Sequence, residues 1–261
     1  MSQAVLRERE KAEIVRSTFE ATHTRTGSLV TSEKNVRRYL NPPADTPYPL
    51  EYAFHLLGDA RGKVVVDFGC GSGMNSLMLA HRGARVYAFD ISESLVRIAA
   101  ERLAANRLGH AVRFMVCSAH DLPVPDGSVD VVFGAAILHH LDLDLASRET
   151  HRVLRPGGRA IFQEPVRNSR VMRAARRLIP YRAPDVSPFE RPLTDAELTG
   201  FGRRFSRMRS RAFSLPHVRL AHVLPVSEDR RRAAYRSDRR ALDRFPFLET
   251  YAAIRVIDLQ K

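Results

Sequence analysis

Tryptophan is absent from this chain of 261 residues, and cysteine (two) and lysine (four) are scarce. The two cysteines, Cys70 and Cys117, form no CxxC pair. That excludes a disulfide framework and a thiolate zinc cage, and it suits a reducing compartment. No run approaches the ~18 apolar residues of a membrane-spanning helix. The opening MSQAVLREREKAEIV mixes charged with apolar residues and has no secretory core. A soluble, cytoplasmic protein without a membrane partner is expected. What is present, 44% hydrophobic and 27% charged residues, is the balance of a globular chain with one to two domains.

The shortage of lysine makes the charge unusual. The chain has 42 Lys and Arg against 29 Asp and Glu, a formal net of +13. Residues 1–164 hold 20 basic and 19 acidic side chains, whereas residues 165–261 hold 22 and 10, a net of +12. Two readings stand: a coding bias toward arginine, or a local surface that meets an anion, since guanidinium forks suit phosphate and carboxylate.

Patterning divides the chain into four blocks. Residues 1–60 open with a helical pattern (Val5, Leu6, Ala12, Ile14, Val15, Phe19), turn Pro-rich, and regain helical spacing in LEYAFHLLG. Residues 61–164 alternate β-branched runs at 63–68, 84–89, 112–117, 129–134 and 158–163 with helical stretches at 72–82, 92–107 and 144–155. This alternation predicts an α/β, doubly wound parallel sheet. Residues 165–206 break the rhythm with five prolines and many arginines. Residues 207–261 return to strand-like runs, RSRAFSL and YAAIRVIDL, around a charged helix near 227–244.

The most informative segment is VVVDFGCGSGMNSLMLA, residues 64–80. A buried strand carries Asp67 near its end, glycines follow at 69, 71 and 73, and a helix begins at once. Glycines there let backbone approach a ligand, and the helix N-terminus adds donors. A second strand ends in Asp90, 21 residues after Gly69, where an acid reaches ribose hydroxyls. Together they indicate an adenosine-containing cofactor. The dinucleotide spacing GxGxxG fails, because residue 74 is methionine. No Gly-Lys-Ser/Thr follows, so a phosphate-binding P-loop is excluded. An acid two residues before Gly69 would repel pyrophosphate and suits an ammonium group. S-adenosylmethionine (SAM), an adenosine bearing a free amino acid, fits.

These segments, with VYAFDIS, CSAHDLPVPDGSVDVVFGAAILHHL and VLRPGGRAIFQEP in the same order, resemble the class I SAM-dependent methyltransferases of the small-molecule type. The resemblance implies a Rossmann-like, seven-stranded sheet with an antiparallel last strand, preceded by an N-terminal helical lid (1–60). It implies a SAM-binding core at 61–164, an acceptor-side insertion at 165–206, and completing strands and helix of the same domain at 207–261. Asp67, Gly69, Cys70, Gly71 and Gly73 would face the methionine part of SAM, and Asp90 the ribose. Ile91 would pack on adenine, while Ser118, Ala119 and His120 line its edge. Gly134 and Ala135 would offer backbone groups to the amino acid end. The family often carries an acid where this chain has Ser118, and that acid accepts the adenine amino group.

The acceptor is less legible. No Asn/Asp/Ser-Pro-Pro-aromatic follows the fourth strand, as it would in DNA amino-methyltransferases, and Ala135 stands where metal-dependent relatives place a carboxylate. No metal is expected. Glu164, His139 and His140 are the candidate bases, with structural roles as the alternative for each. Tyr48 lies in the lid region, where substrate contacts are frequent. In 168–179, Arg170, Arg173, Arg176 and Arg177 share about a 120° arc of a helix. Arg173 and Arg177 are therefore candidates to bind an anionic acceptor, unless the arc is a solvated face. Methylation of a small molecule is expected. The alternatives are an RNA-modifying methyltransferase gripping phosphates with its basic last third, disfavoured by the lack of an appended RNA-binding module, and a non-catalytic SAM-binding protein.

Overall fold

The computed structural model describes residues 3–23, 29–169 and 191–261. Helices α1 (Gln3–His23), α2 (Glu33–Leu40) and α3 (Pro49–Leu57) precede the first strand. Strand β1 (Val64–Phe68), helix α4 (Met74–His81), β2 (Arg85–Asp90), α5 (Glu93–Ala105), β3 (Val112–Val116), β4 (Val129–Ala135), α6 (Leu143–Val153) and β5 (Leu154–Pro165) follow. The chain closes with α7 (Asp195–Gly202), β6 (Arg207–Phe213), α8 (Pro216–Val223), α9 (Glu228–Arg244) and β7 (Ile254–Gln260).

The seven strands form one sheet in the order β3-β2-β1-β4-β5-β7-β6. Strands β1 to β5 pair in parallel, and β7 inserts antiparallel between β5 and β6. The expected seven-stranded Rossmann-like sheet with its antiparallel last strand is what the chain forms. The strands read as unbroken apolar runs because both faces are covered. Val65, Phe133, Ile161 and Val256 enter one core with Phe54, Leu77 and Met78. Their neighbours Val66, Val132, Phe162 and Ile257 enter the other with Phe68, Leu198 and Phe201. Successive side chains thus feed opposite layers, as a period of two requires.

Local signals set the helix ends. Pro49 occupies the first turn of α3, where a missing N–H costs nothing. Asp142 caps α6 by accepting from the backbone N–H of Asp144 and Leu145 (3.1 and 3.0 Å). Thr194 and Glu197 form a reciprocal capping box on α7.

Residues 1–60 do not act as one unit. Helix α3 is core, with Ala53 and Phe54 fully buried and the Phe54 ring 4.8 Å from that of Phe133. Helix α1 instead turns its polar side inward: Glu13 and Ser17 are buried, while Val15 is 71% exposed and Val5, Ile14 and Phe19 are also exposed. The stretch 165–206, expected as an insertion, is anchored to the body at both described ends. Val166 bridges Leu193, and Leu193, Leu198, Phe201 and Phe205 are buried in the core beneath Phe162. Among the described residues, no helix is long and apolar enough to cross a membrane.

Candidate cofactor site

The site is built at the carboxyl ends of β1, β2 and β3. Gly69 and Gly73 hold φ of +76° and +81°. A Cβ on Gly69 would lie 2.5 Å from Ile137 Cδ1, and one on Gly73 2.7 Å from Ala99 Cβ. Both positions therefore need glycine for conformation and for space. The loop is tied to the next strand: Cys70 N–H donates to Phe89 O (2.8 Å) and Gly71 N–H to Asp90 Oδ2 (3.0 Å). Ser92 N–H donates to Asp90 Oδ1 (3.0 Å). Burial pushes the Asp90 carboxyl up, and the backbone donors of Ser92 and Gly71 oppose the shift.

Asp67 is fully buried behind the loop. Its Oδ2 accepts from Ser76 Oγ (2.5 Å), whereas Oδ1 has no hydrogen-bond partner among the described residues. Burial pushes its carboxyl up to about 7, with a further upward push from the Asp90 charge. A buried carboxylate with an unused oxygen beside a glycine loop is prepared for a cation.

A cleft opens beside the loop, lined by Gly69, Asp90, Ile91, Ser118, Ala119 and His120 from the expected set. Asp67, Cys70, Gly71, Gly73, Gly134 and Ala135 are not among its lining residues. The register between β1 and β4 ends at Phe133, so Gly134 and Ala135 continue past the last pair. A Cβ on Gly134 would meet the Phe162 ring at 2.6 Å, which explains glycine there by packing.

Sequence reasoning missed the fourth wall. Arg9, Glu10, Glu13, Arg16 and Ser17 of α1 line the same cleft. Ser118 Oγ donates to Glu10 Oε1 (2.6 Å). Arg9 Nε donates to His140 O (2.7 Å), and His140 Nδ1 lies 3.1 Å from Glu13 Oε2. The signal was available: positions 9, 10, 13, 16 and 17 share one helix face, and all of them are polar.

The candidate bases have definite surroundings. Glu164 is fully buried at the end of β5. Its Oε1 accepts from Ile137 N–H (2.9 Å) and Leu138 N–H (2.8 Å), and its Oε2 lies 2.9 Å from His139 Nδ1. The carboxylate is thus spent on the loop after β4, where Ala136 sits at φ +57°. His139 is buried on that brace, and of the two histidines it is His140 that lines the cleft. Tyr48 lies elsewhere: its ring is 4.6 Å from Tyr235 and 4.6 Å from the Arg38 guanidinium, in a separate cleft between α2, α3 and α9. Arg173 and Arg177 lie outside the described residues. Among the described residues, no group of three or more His, Cys, Asp or Glu is arranged to hold a metal ion.

Comparison with known proteins agrees with this geometry. A family profile described as a methyltransferase domain matches residues 66–162. The chain is 33% identical over 102 residues to a malonyl-[acyl-carrier protein] O-methyltransferase of Serratia marcescens, covering 39% of this chain and 38% of that protein. It is 34% identical over 152 residues to a ubiquinone biosynthesis O-methyltransferase of Ralstonia nicotianae, covering 54% and 61%. The matches span less than two thirds of these relatives' lengths. Among solved structures, geranyl diphosphate C-methyltransferase from Streptomyces coelicolor, with S-adenosyl-L-homocysteine bound, has the same fold (TM-score 0.56, 19% identity, 80% of this chain and 76% of that one). Strand order, glycine loop and sequence likeness converge on one family, whose methyl donor is SAM: residues 66–162 form a class I SAM-dependent methyltransferase domain.

Proposed function

We propose that this protein transfers a methyl group from SAM to a small-molecule acceptor. The observation that carries the reading is the Gly71–Asp90 hydrogen bond, which ties the glycine loop to a carboxylate that lines the cleft, with Asp67 buried behind the loop. Asp90 would take the ribose hydroxyls with the lone pairs its backbone donors leave free. Asp67 Oδ1, buried without a partner, fits the ammonium of the amino acid end. Gly69 to Gly73 bring backbone to the same end, and Ile91 covers the purine. When bound, SAM supplies an already activated methyl on its sulfonium. The chain's own work is therefore mainly alignment, for which well-oriented reactants reach effective molarities of ~10⁵ M or more.

Glu164 and His139 act in this reading by holding the loop after β4 in place. His140, at the cleft wall, is the remaining base candidate, and a positioned base typically adds ~10²–10⁴-fold. The acceptor would approach from the carboxyl end of β5. A cavity there is lined by Val166, Arg167, Asn168, Arg219 and Ala253. Two arginines at its wall, Arg167 and Arg219, support an acceptor bearing phosphate or carboxylate. The relatives' printed names, malonyl-[acyl-carrier protein], ubiquinone biosynthesis and geranyl diphosphate, share small or carrier-borne acceptors and no single acceptor atom. An RNA acceptor is not favoured. Several arginines of the last third are committed internally, as Arg255 is to Asp195 and Glu249. Incubating the protein with SAM and a metabolite panel, with mass readout of +14, tests the reading. Transfer only to RNA, with a steep loss of binding as salt rises, would overturn it.

A further inference from the structure

We propose that Glu10 of α1 is the carboxylate that accepts the 6-amino group of the cofactor's adenine, so the purine pocket is complete only with α1 docked. The inference rests on the cofactor reading above and adds a residue to it. The edge of the cleft at the end of β3 offers Ser118, Ala119 and His120, and none of these is an acid. The one hydroxyl hydrogen of Ser118 is already given to Glu10 Oε1 (2.6 Å). His120 Nε2 accepts from Asp142 N–H (3.1 Å), so the ring proton is on Nδ1, 3.3 Å from the same Glu10 oxygen. That proton is shared with Ser118 Oγ (3.1 Å), so Ser118 directly, and His120 both directly and through Ser118, orient the carboxylate from the protein side. Glu10 Oε2 accepts nothing among the described residues, and the side chain lines the cleft at 25% exposure. A carboxylate has about four lone-pair sites, so acceptors remain for an exocyclic amine. Helix α1 does not depend on Glu10 for its place, because Arg9 is bonded to the carbonyls of His140 and His139 (2.7 and 3.3 Å).

Calorimetry with S-adenosylhomocysteine and its 6-deamino analogue, in which purine replaces adenine, tests this without turnover. The wild type is expected to prefer the adenine ligand by about tenfold or more, the scale of a charge-assisted hydrogen bond. Glu10→Ala should cut that preference to within about threefold. Glu10→Gln, which retains an uncharged acceptor and the shape of the side chain, should give an intermediate preference and serves if the alanine variant is unfolded. Asp90→Ala should weaken both ligands alike and leave the preference intact. Undiminished preference in Glu10→Ala, or no preference in the wild type, would overturn the role of Glu10. Failure of the wild type to bind either ligand would overturn the cofactor reading itself.

Discussion

Asp67 makes stability depend on pH in a direction opposite to most carboxylates. Full burial pushes its carboxyl from the ordinary 3.8 to about 7, against the weaker downward pull of the Ser76 hydroxyl. The folded state thus holds a proton that the unfolded chain has released between about pH 4 and 7. Its contribution is complete below the unfolded value and is lost as pH rises through the folded one. At about 1.36 kcal/mol per tenfold in proton affinity, the loss approaches ~4 kcal/mol above pH 7, an upper bound. Asp67→Asn keeps an oxygen for Ser76 Oγ and removes the titration. Urea unfolding of both proteins from pH 5 to 8, without cofactor, isolates the difference from other titrating groups. Stability should fall with pH in the wild type more steeply than in the variant, and the variant should be the more stable at pH 8. Adding SAM should erase much of that advantage, because the ammonium then compensates the ionised carboxylate. Parallel curves for the two proteins would refute the reasoning.

Glu164→Ala should cost about 3 kcal/mol, because it leaves one buried and one part-buried backbone donor of the β4 loop unsatisfied at ~1–3 kcal/mol each. A lowered Tm with weakened SAM binding checks this. Gly73→Ala should destabilise by about 1–3 kcal/mol through its left-handed backbone, with more added by the Ala99 clash; denaturant titration measures it. Arg173→Gln with Arg177→Gln should raise KM for an anionic acceptor and leave the Kd for SAM unchanged. No change in either constant would return the arginine arc to a solvated face.

The sheet was legible because its signals are local. Apolar runs of five or six residues, separated by amphipathic stretches, predict β1 to β5 within a few residues; β5 starts four residues earlier than the 158–163 expected, at Leu154. The glycine loop and Asp90 were legible because chirality and close approach permit few residues there. For Glu164 the sequence leaves a base and a structural carboxylate both open, and its bonds to the Ile137 and Leu138 N–H groups depend on the backbone turn at Ala136 to Leu138, which no sequence periodicity marks. The wall formed by α1 was missed for a different reason. The helical pattern includes Val5, Ile14 and Val15, which are exposed, whereas Glu10, Glu13 and Ser17 line the cleft. Tyr48 is a candidate by resemblance alone, and its ring packs against Tyr235 in a different cleft.

The central claim is that the Gly71–Asp90 cradle binds SAM, and calorimetric titration of SAM into the wild type and Asp90→Ala tests it most directly. Saturable binding to the wild type is expected, weakened about tenfold or more in the variant, since a hydrogen bond to a charged group contributes ~1.5–3 kcal/mol. Equal affinity in the two proteins, or tighter binding of NAD than of SAM, would contradict it.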